Sequence, residues 1–172
     1  MDFLSILSIE PFSWYSIGTS VLCGTIIGAE RQLRGKPVGI RTSSLITLGT
    51  YIFIAASMVV STGVDQNGTR VVTDPSRIIG QVITGIGFLG AGVMLARDGF
   101  VLGVTSAATI WSLAAIGVCI AIGYNWVAIK LSLVVIAVLV GVDLLEDYSQ
   151  AFTRGVHKKY QSWFGKAKKS SD

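Results

Sequence analysis

The stretch from Asp74 to Ala96, DPSRIIGQVITGIGFLGAGVMLA, decides how this chain folds. An acid and a base precede nineteen uncharged residues, and five residues of the stretch are glycine. In a water-exposed helix each glycine costs roughly 0.8–1 kcal/mol relative to alanine. In a membrane, glycines let helix backbones approach closely, which offsets that cost. The stretch therefore indicates a membrane helix that packs through its glycines.

The whole chain has the composition of a membrane protein. Of 172 residues, 51% are hydrophobic and 14% are charged, and the mean hydropathy is +0.65. The charges lie between neutral segments long enough to cross a hydrocarbon core of ~30 Å, and the longest segment must turn once, near Gly123. We predict an all-α polytopic membrane bundle of five transmembrane helices. The predicted spans are about 12–30, 42–63, 77–96, 103–122 and 126–145, which make up a domain over 1–145, followed by a tail over 146–172.

The basic residues predict the orientation of these spans, because cytoplasmic segments carry an excess of lysine and arginine. With the N-terminus outside, three basic residues fall outside, namely Arg70, Arg77 and Lys130. Eleven fall inside, six of them in the tail. We therefore expect a multi-pass protein with a cytoplasmic C-terminus. The tail is basic and amphipathic, which favours contact with anionic lipid.

The sequence argues against several chemistries. No phosphate-binding P-loop is present, and the G-x-G-x-x-G pattern from Gly85 to Gly90 lies inside an apolar span rather than between a strand and a helix. The single histidine, His157, precludes a His/Cys metal cluster. Cys23 and Cys119 lie inside predicted spans, as small packing residues do. We expect no enzymatic activity, no cofactor, no bound metal and no nucleic-acid partner.

Small residues recur at helical spacing in three of the predicted spans. Such ridges predict close helix packing, within the bundle or between copies, and a homo-oligomer, most simply a dimer, is expected. The alternative is a glycine-flexed helix that lines a pathway. The helix-packing candidates are Gly24, Gly28, Gly85, Gly87, Gly90 and Gly92, and the polar candidates inside the bundle are Thr105, Thr109 and Trp111. Thr47, Thr50, Thr105 and Thr109 are available for hydrogen bonds between helices.

Charged residues at the edges of the spans are the remaining candidates for function. Outside, Asp74 suits a helix N-cap, but Asp74 and Arg77 also fit a gate at the outer mouth, with Lys130 as a partner for Asp74. Inside, the first connection is tight, and its positive charge either sets topology or binds an anion, lipid or protein. Its charged residues are Glu30, Arg31, Arg34, Lys36 and Arg41. Glu30 is placed to neutralise one of the arginines.

Three ordered blocks of the sequence resemble a known family. GAERQLRGKPVGIRTSSLITLG, DPSRIIGQVITGIGFLGAGVML and VTSAATIWSLAAIG are similar to the signature blocks of the MgtC/SapB family of bacterial inner-membrane proteins. Longer members continue into a cytoplasmic domain, so the resemblance implies a short form here. The residues that match by motif are Glu30, Arg31, Arg41, Asp74, Pro75, Arg77, Gly85, Gly87, Gly90, Gly92, Thr105, Ala108, Thr109 and Trp111.

The resemblance implies a function as well as a location. Family members are associated with adaptation to low magnesium and, in pathogens, with survival inside phagocytes. The best-studied members are regarded as regulators that bind other membrane proteins, including the F-type ATP synthase. We therefore expect a non-enzymatic regulator, and the alternative is a transporter or channel for Mg²⁺ or another small solute. The lack of an intramembrane cluster of acids weakens that alternative.

Overall fold

The computed structural model describes residues 10–61, 74–97 and 100–145. These residues form five helices and a two-stranded ribbon, which confirms the all-α class. The elements are α1 (Trp14–Leu33), α2 (Ile40–Ser61), α3 (Pro75–Val93), β1 (Leu95–Arg97), β2 (Phe100–Leu102), α4 (Val104–Ala121) and α5 (Asn125–Leu145). The predicted tail, 146–172, lies outside the described residues.

Four of the described helices, α2 to α5, are long and apolar enough to cross a membrane. Helix α1 has 20 residues but is more polar than the others. Its hydroxyl-bearing residues Ser16, Thr19 and Ser20 face the protein interior. A membrane crossing by α1, the first of the five predicted spans, therefore stays a prediction.

The third helix ends earlier than the sequence predicts. The span expected to reach 96 stops at Val93, and β1 then pairs antiparallel with β2, with Leu95 opposite Leu102. Gly103 follows with φ +87°, and a Cβ there would lie 2.5 Å from the carbonyl oxygen of Val93. Only glycine fits both the backbone angle and the contact. The ribbon and Gly103 therefore return the chain directly into α4.

The compact unit that spans Met1–Val135 has a core shared by α1, α2 and α4. Its large fully buried side chains include Ile27, Ile54, Ile110 and Leu113. Buried hydroxyls lie among them, including Ser20, Ser43, Thr47 and Ser106. A second unit begins at Ile136, and its described residues are the last turns of α5. The candidate sites described below all lie in the first unit.

Candidate functional site

A buried arginine joins α1 to α4. Arg31 is 4% exposed, and its Nη2 donates a hydrogen bond of 2.7 Å to Oγ of Ser106, which is 2% exposed. A hydrogen bond from an ionised donor is stronger than one between neutral groups. It holds the last turn of α1 beside the first turn of α4, so these two helix termini lie at the same end of the unit. This is the end that the sequence analysis predicts to lie in the cytoplasm.

The neighbouring carboxylate is also buried. The Glu30 side chain is 8% exposed, and its Oε1 lies 2.7 Å from Nε of Arg34. The distance makes this contact an ion pair. The two groups are not aligned as in a hydrogen bond, and neither Glu30 oxygen makes a hydrogen bond within the described residues. Nε of Arg31 likewise lacks a hydrogen-bond partner there. Buried ionised groups with unused polar atoms are costly, which makes this cluster a candidate site.

The connection between α1 and α2 is rigidly shaped. Val38 has φ +67°, a rare angle for a β-branched residue, and its carbonyl accepts a 3.0 Å hydrogen bond from Oγ of Ser43. The backbone N–H of Lys36 donates to the carbonyl of Arg31 at 2.9 Å. Backbone strain of this kind persists only where surrounding contacts over-determine it. The structure thus brings Glu30, Arg31 and Arg34 together, whereas Lys36 and Arg41 are exposed.

Two glycines of α1, Gly24 and Gly28, lie directly against α2. A Cβ on Gly24 would lie 2.5 Å from Cα of Ser44, and one on Gly28 would lie 2.6 Å from Cα of Ile40. Oγ1 of Thr25 and Oγ of Ser44 are 3.2 Å apart, which adds a hydrogen bond between the two helices. The two backbones therefore lie so close that neither Gly24 nor Gly28 leaves room for a side chain.

The glycines of α3 behave differently. A Cβ on Gly90 would lie 3.6 Å from Cβ of Ala107 in α4, an ordinary contact. Cβ atoms on Gly80, Gly85, Gly87 and Gly92 would have nothing within 4 Å. Within the single chain, α3 meets α4 mainly through the side that carries Ile86 and Gly90, so close packing at the other α3 glycines stays a prediction. Only 6% of the apolar window of α3 is buried.

A groove of about 720 Å³ separates α2 from α3. It is lined by six residues of α2 (Thr42, Leu45, Ile46, Gly49, Thr50 and Phe53) and six of α3 (Ile78, Gln81, Val82, Gly85, Ile86 and Leu89). Thr50 is 2% exposed, and its Oγ1 makes no hydrogen bond within the described residues. The groove is therefore apolar, because the Thr50 side chain lies against Gly117 of α4 and its hydroxyl has no accessible surface in the groove.

The predicted outer gate is not assembled. The Asp74 carboxylate accepts the backbone N–H of Ser76 at 2.9 Å, which caps α3. These hydrogen bonds from Ser76 hold the pKa of Asp74 below its usual value. Arg77 and Lys130 are exposed, and among the described residues neither pairs with Asp74. The expected partnership is wrong, because the local cap already satisfies the carboxylate.

Two of the four hydroxyls predicted to bond between helices bond within their own helix instead. Oγ1 of Thr109 donates to the carbonyl of Thr105 at 2.8 Å, and Oγ1 of Thr47 donates to the carbonyl of Ser43 at 3.1 Å. This correction follows from helix geometry, since a threonine can always reach the carbonyl four residues earlier. Thr105 is exposed, and Trp111 is 57% exposed.

Other chemistry-bearing residues stay apart. Cys23 is buried and Cys119 is partly buried, and both are free thiols. Within the described part of the chain, no three His, Cys, Asp or Glu residues lie close enough to hold a metal ion. Sequence reasoning did not single out Ser106, and it gave Thr50 no role beyond a possible interhelical hydrogen bond. Position 106 lies in the third signature block, but one small residue among many in that block carries no signal of its own.

Comparison with known proteins identifies the family. The sequence model of the MgtC family matches residues 17–148, which include the buried charged cluster and the groove. The chain belongs to the MgtC family. No solved structure matches this MgtC family member.

Several named relatives share this region. An uncharacterized protein of Haemophilus influenzae is 36% identical over 83% of this chain and 57% of its own length. YhiD of Escherichia coli K12, named as a proposed magnesium transporter, is 40% identical over 82% of this chain and 62% of its own length. MgtC of Salmonella typhimurium is 41% identical over 60% of this chain and 41% of its own length. The chain thus spans about half the length of these relatives.

Proposed function

We propose that this MgtC family member is a non-enzymatic, multi-pass protein of the bacterial inner membrane that binds and regulates other membrane proteins. The observation that carries the proposal is the uncovered surface of α3. A Cβ added to any of four glycines of this helix, Gly80, Gly85, Gly87 and Gly92, would meet nothing within 4 Å among the described residues. A glycine that faces lipid contributes no packing, whereas one that faces another helix permits close contact.

One uncovered stripe of α3 suits a partner helix particularly well. Gly80, Thr84, Gly87 and Ala91 are spaced by four, three and four residues, so they lie along one line of the helix. All four are exposed. Phe88, 80% exposed, lies beside this line. Small residues with a large apolar neighbour are typical of interfaces between transmembrane helices, and this stripe supports docking of another membrane protein.

The orientation and role follow from the same proposal. The predicted excess of basic residues on one side supports an external N-terminus and a cytoplasmic tail on anionic lipid. Membership of the MgtC family supports a role in adaptation to magnesium limitation or stress. By family resemblance the partners include the ATP synthase, and we propose self-association as well.

The proposal is tested in cells under magnesium limitation. A photo-cross-linking residue in place of Phe88, beside the stripe, is expected to form adducts with another membrane protein, and adding Gly87→Leu is expected to abolish both the adducts and growth at low magnesium. Gly18→Leu is the matched control, because Gly18 is also exposed and has no neighbour within 4 Å. Wild-type growth and adducts in Gly87→Leu would overturn the proposal.

Transport of Mg²⁺ is the second candidate, and it has one specific observation in its favour. The buried Glu30 oxygens lack hydrogen bonds, and a carboxylate of this kind is a ligand that Mg²⁺ accepts. The relative YhiD is also named as a proposed transporter of this ion. Vesicles that contain the purified protein would then show Mg²⁺ flux above empty vesicles, and Glu30→Gln would remove it. Flux equal to that of empty vesicles would eliminate this candidate.

A further inference from the structure

Helix α3 is held in the chain mainly by α4. The groove of about 720 Å³ separates α3 from α2, and α3 contacts α4 more extensively than it contacts α2. A Cβ on Gly90 of α3 would lie 3.6 Å from Cβ of Ala107 in the first turn of α4. At the start of α4, a Cβ on Gly103 would lie 2.5 Å from the carbonyl oxygen of Val93, where α3 ends. The position of α3 therefore follows the position of the first turn of α4.

Two contacts hold α4 at different heights. Towards its end, Gly117 lies against α2, since a Cβ there would lie 2.7 Å from the carbonyl oxygen of Thr47. In its first turn, Ser106 accepts the 2.7 Å hydrogen bond from Arg31 of α1. The two contacts are eleven residues, or about 16 Å, apart along the helix. The contact with α2 therefore fixes one half of α4, and the bond from Arg31 holds the other half beside α1.

The residue that Arg31 binds is next to the residue that carries α3. Ser106 accepts the bond from Arg31, and the following residue, Ala107, contacts Gly90 of α3. Arg31 is 4% exposed and Ser106 is 2% exposed, so the helices must separate before water can replace either partner. A buried polar group that loses its partner costs the full desolvation penalty of that group. The bond therefore fixes the place of the turn on which α3 packs.

We propose that Arg31 is a positioning residue for the stripe of small residues that α3 exposes, and that it acts through Ser106 and Ala107 of α4. Without the bond, the first turn of α4 moves away from α1 about the contact at Gly117, and it carries the adjacent half of α3 with it. A partner helix that packs on small residues needs close backbone contact, so such a movement weakens binding. This inference rests on the proposed function, in which the stripe binds another membrane protein. It adds that the binding surface is set by the buried charged cluster at one end of the unit.

Distances between spin labels on the full-length chain in phospholipid vesicles test the arrangement. The near pair joins Leu45 of α2 to Phe88 of α3, two residues from Gly90. The far pair joins Phe53 of α2 to Gly80 of α3, towards the other end of both helices. All four positions are exposed. Both native cysteines are replaced by alanine, and circular dichroism verifies the helix content of every variant.

The variants separate the bond from charge and from stability. Ser106→Ala and Arg31→Met each remove one partner and are expected to shift the near-pair distance by about 1–2 Å, the size of known helix shifts, with the far pair unchanged. Arg31→Lys keeps a charged donor and is expected to return the near pair towards the wild-type distance. Lys36→Met is the matched control for charge, since it removes an exposed cation nearby. Ile27→Ala is the control for stability, because it empties a fully buried position of α1 and retains the bond.

The outcomes separate this inference from the proposed function. Wild-type near-pair distances in both Ser106→Ala and Arg31→Met would overturn the inference, and so would an equal shift in Ile27→Ala. In cells, with the photo-cross-linking residue in place of Phe88, Arg31→Met is expected to lower the adduct yield and Arg31→Lys to restore it. The label distances require no partner, so they decide the role of Arg31 even if the wild type forms no adducts. Adducts in the wild type together with unchanged distances would leave the proposed function in place and remove the positioning role.

Discussion

Helices α1 and α3 both carry ridges of small residues, but they use them in opposite ways. In α1, Cβ atoms on Gly24 and Gly28 would lie 2.5 and 2.6 Å from backbone atoms of α2. In α3, Cβ atoms on Gly85 and Gly87 would have nothing within 4 Å. A small-residue ridge therefore predicts that a helix will come close, but it does not predict whether that helix belongs to the same chain.

The beginnings of the two helices show the same contrast. Helix α1 has no side-chain cap, and the N–H of Ser13 instead donates to Oη of Tyr51 in α2 at 2.9 Å. Helix α3 is capped by its own Asp74. One helix is held by its neighbour, whereas the other is stabilised locally. The start of α3 thus depends less on the rest of the chain, which agrees with the proposed role of α3 in binding a partner.

The largest expected effect comes from disrupting the contact of the α1 glycines with α2. Gly24→Leu forces a side chain into the backbone of Ser44 and is expected to lower the free energy of unfolding by about 3 kcal/mol or more, because the helices must separate. Equilibrium unfolding in mixed micelles measures this loss. Gly18→Leu on the same helix is the control, since a Cβ there has nothing within 4 Å. Equal stability of the two variants would contradict the interface.

Much of this architecture is predictable from the sequence, and the exceptions share a physical reason. Periodicity and composition predict the helices, because burial of apolar residues and helical spacing are local properties. The Asp74 cap is also local, as it involves the next few residues. The bond from Arg31 to Ser106 joins residues 75 positions apart, and the open side of α3 depends on which neighbours the fold supplies. Neither is encoded in a short pattern.

The second expected effect concerns the hydrogen bond from Arg31 to Ser106, which holds the end of α1 beside α4. Arg31→Met and Ser106→Ala each remove one partner of a buried, charge-assisted hydrogen bond. The coupling free energy from the double-mutant cycle is expected to be about 1.5–3 kcal/mol, the range for bonds to charged groups. Unfolding of the two single variants and the double variant gives this value. Additive effects would show that the two side chains act independently.

Replacing one glycine by alanine in α1 and one in α3 is expected to change the free energy of unfolding in opposite directions. Gly87→Ala should raise the free energy of unfolding by roughly 0.8–1 kcal/mol, because alanine is the better helix former and the added methyl group meets nothing. Gly28→Ala should lower it, since the Cβ would lie 2.6 Å from Cα of Ile40. Thermal unfolding of the two variants side by side is the measurement. A loss of stability in Gly87→Ala would mean that α3 is already packed in the single chain.

The smallest expected effect is the pH dependence of the cap on α3. Because the N–H of Ser76 lowers the pKa of Asp74 below its usual 3.8, the charged cap stabilises the folded protein above that pH. The contribution is lost as the pH falls through the lower pKa of the folded state. Asp74→Asn keeps a capping acceptor that does not titrate. Below pH 4 the unfolding temperature of the wild type should therefore fall more steeply than that of Asp74→Asn, and parallel curves would show that α3 does not begin with a charged cap.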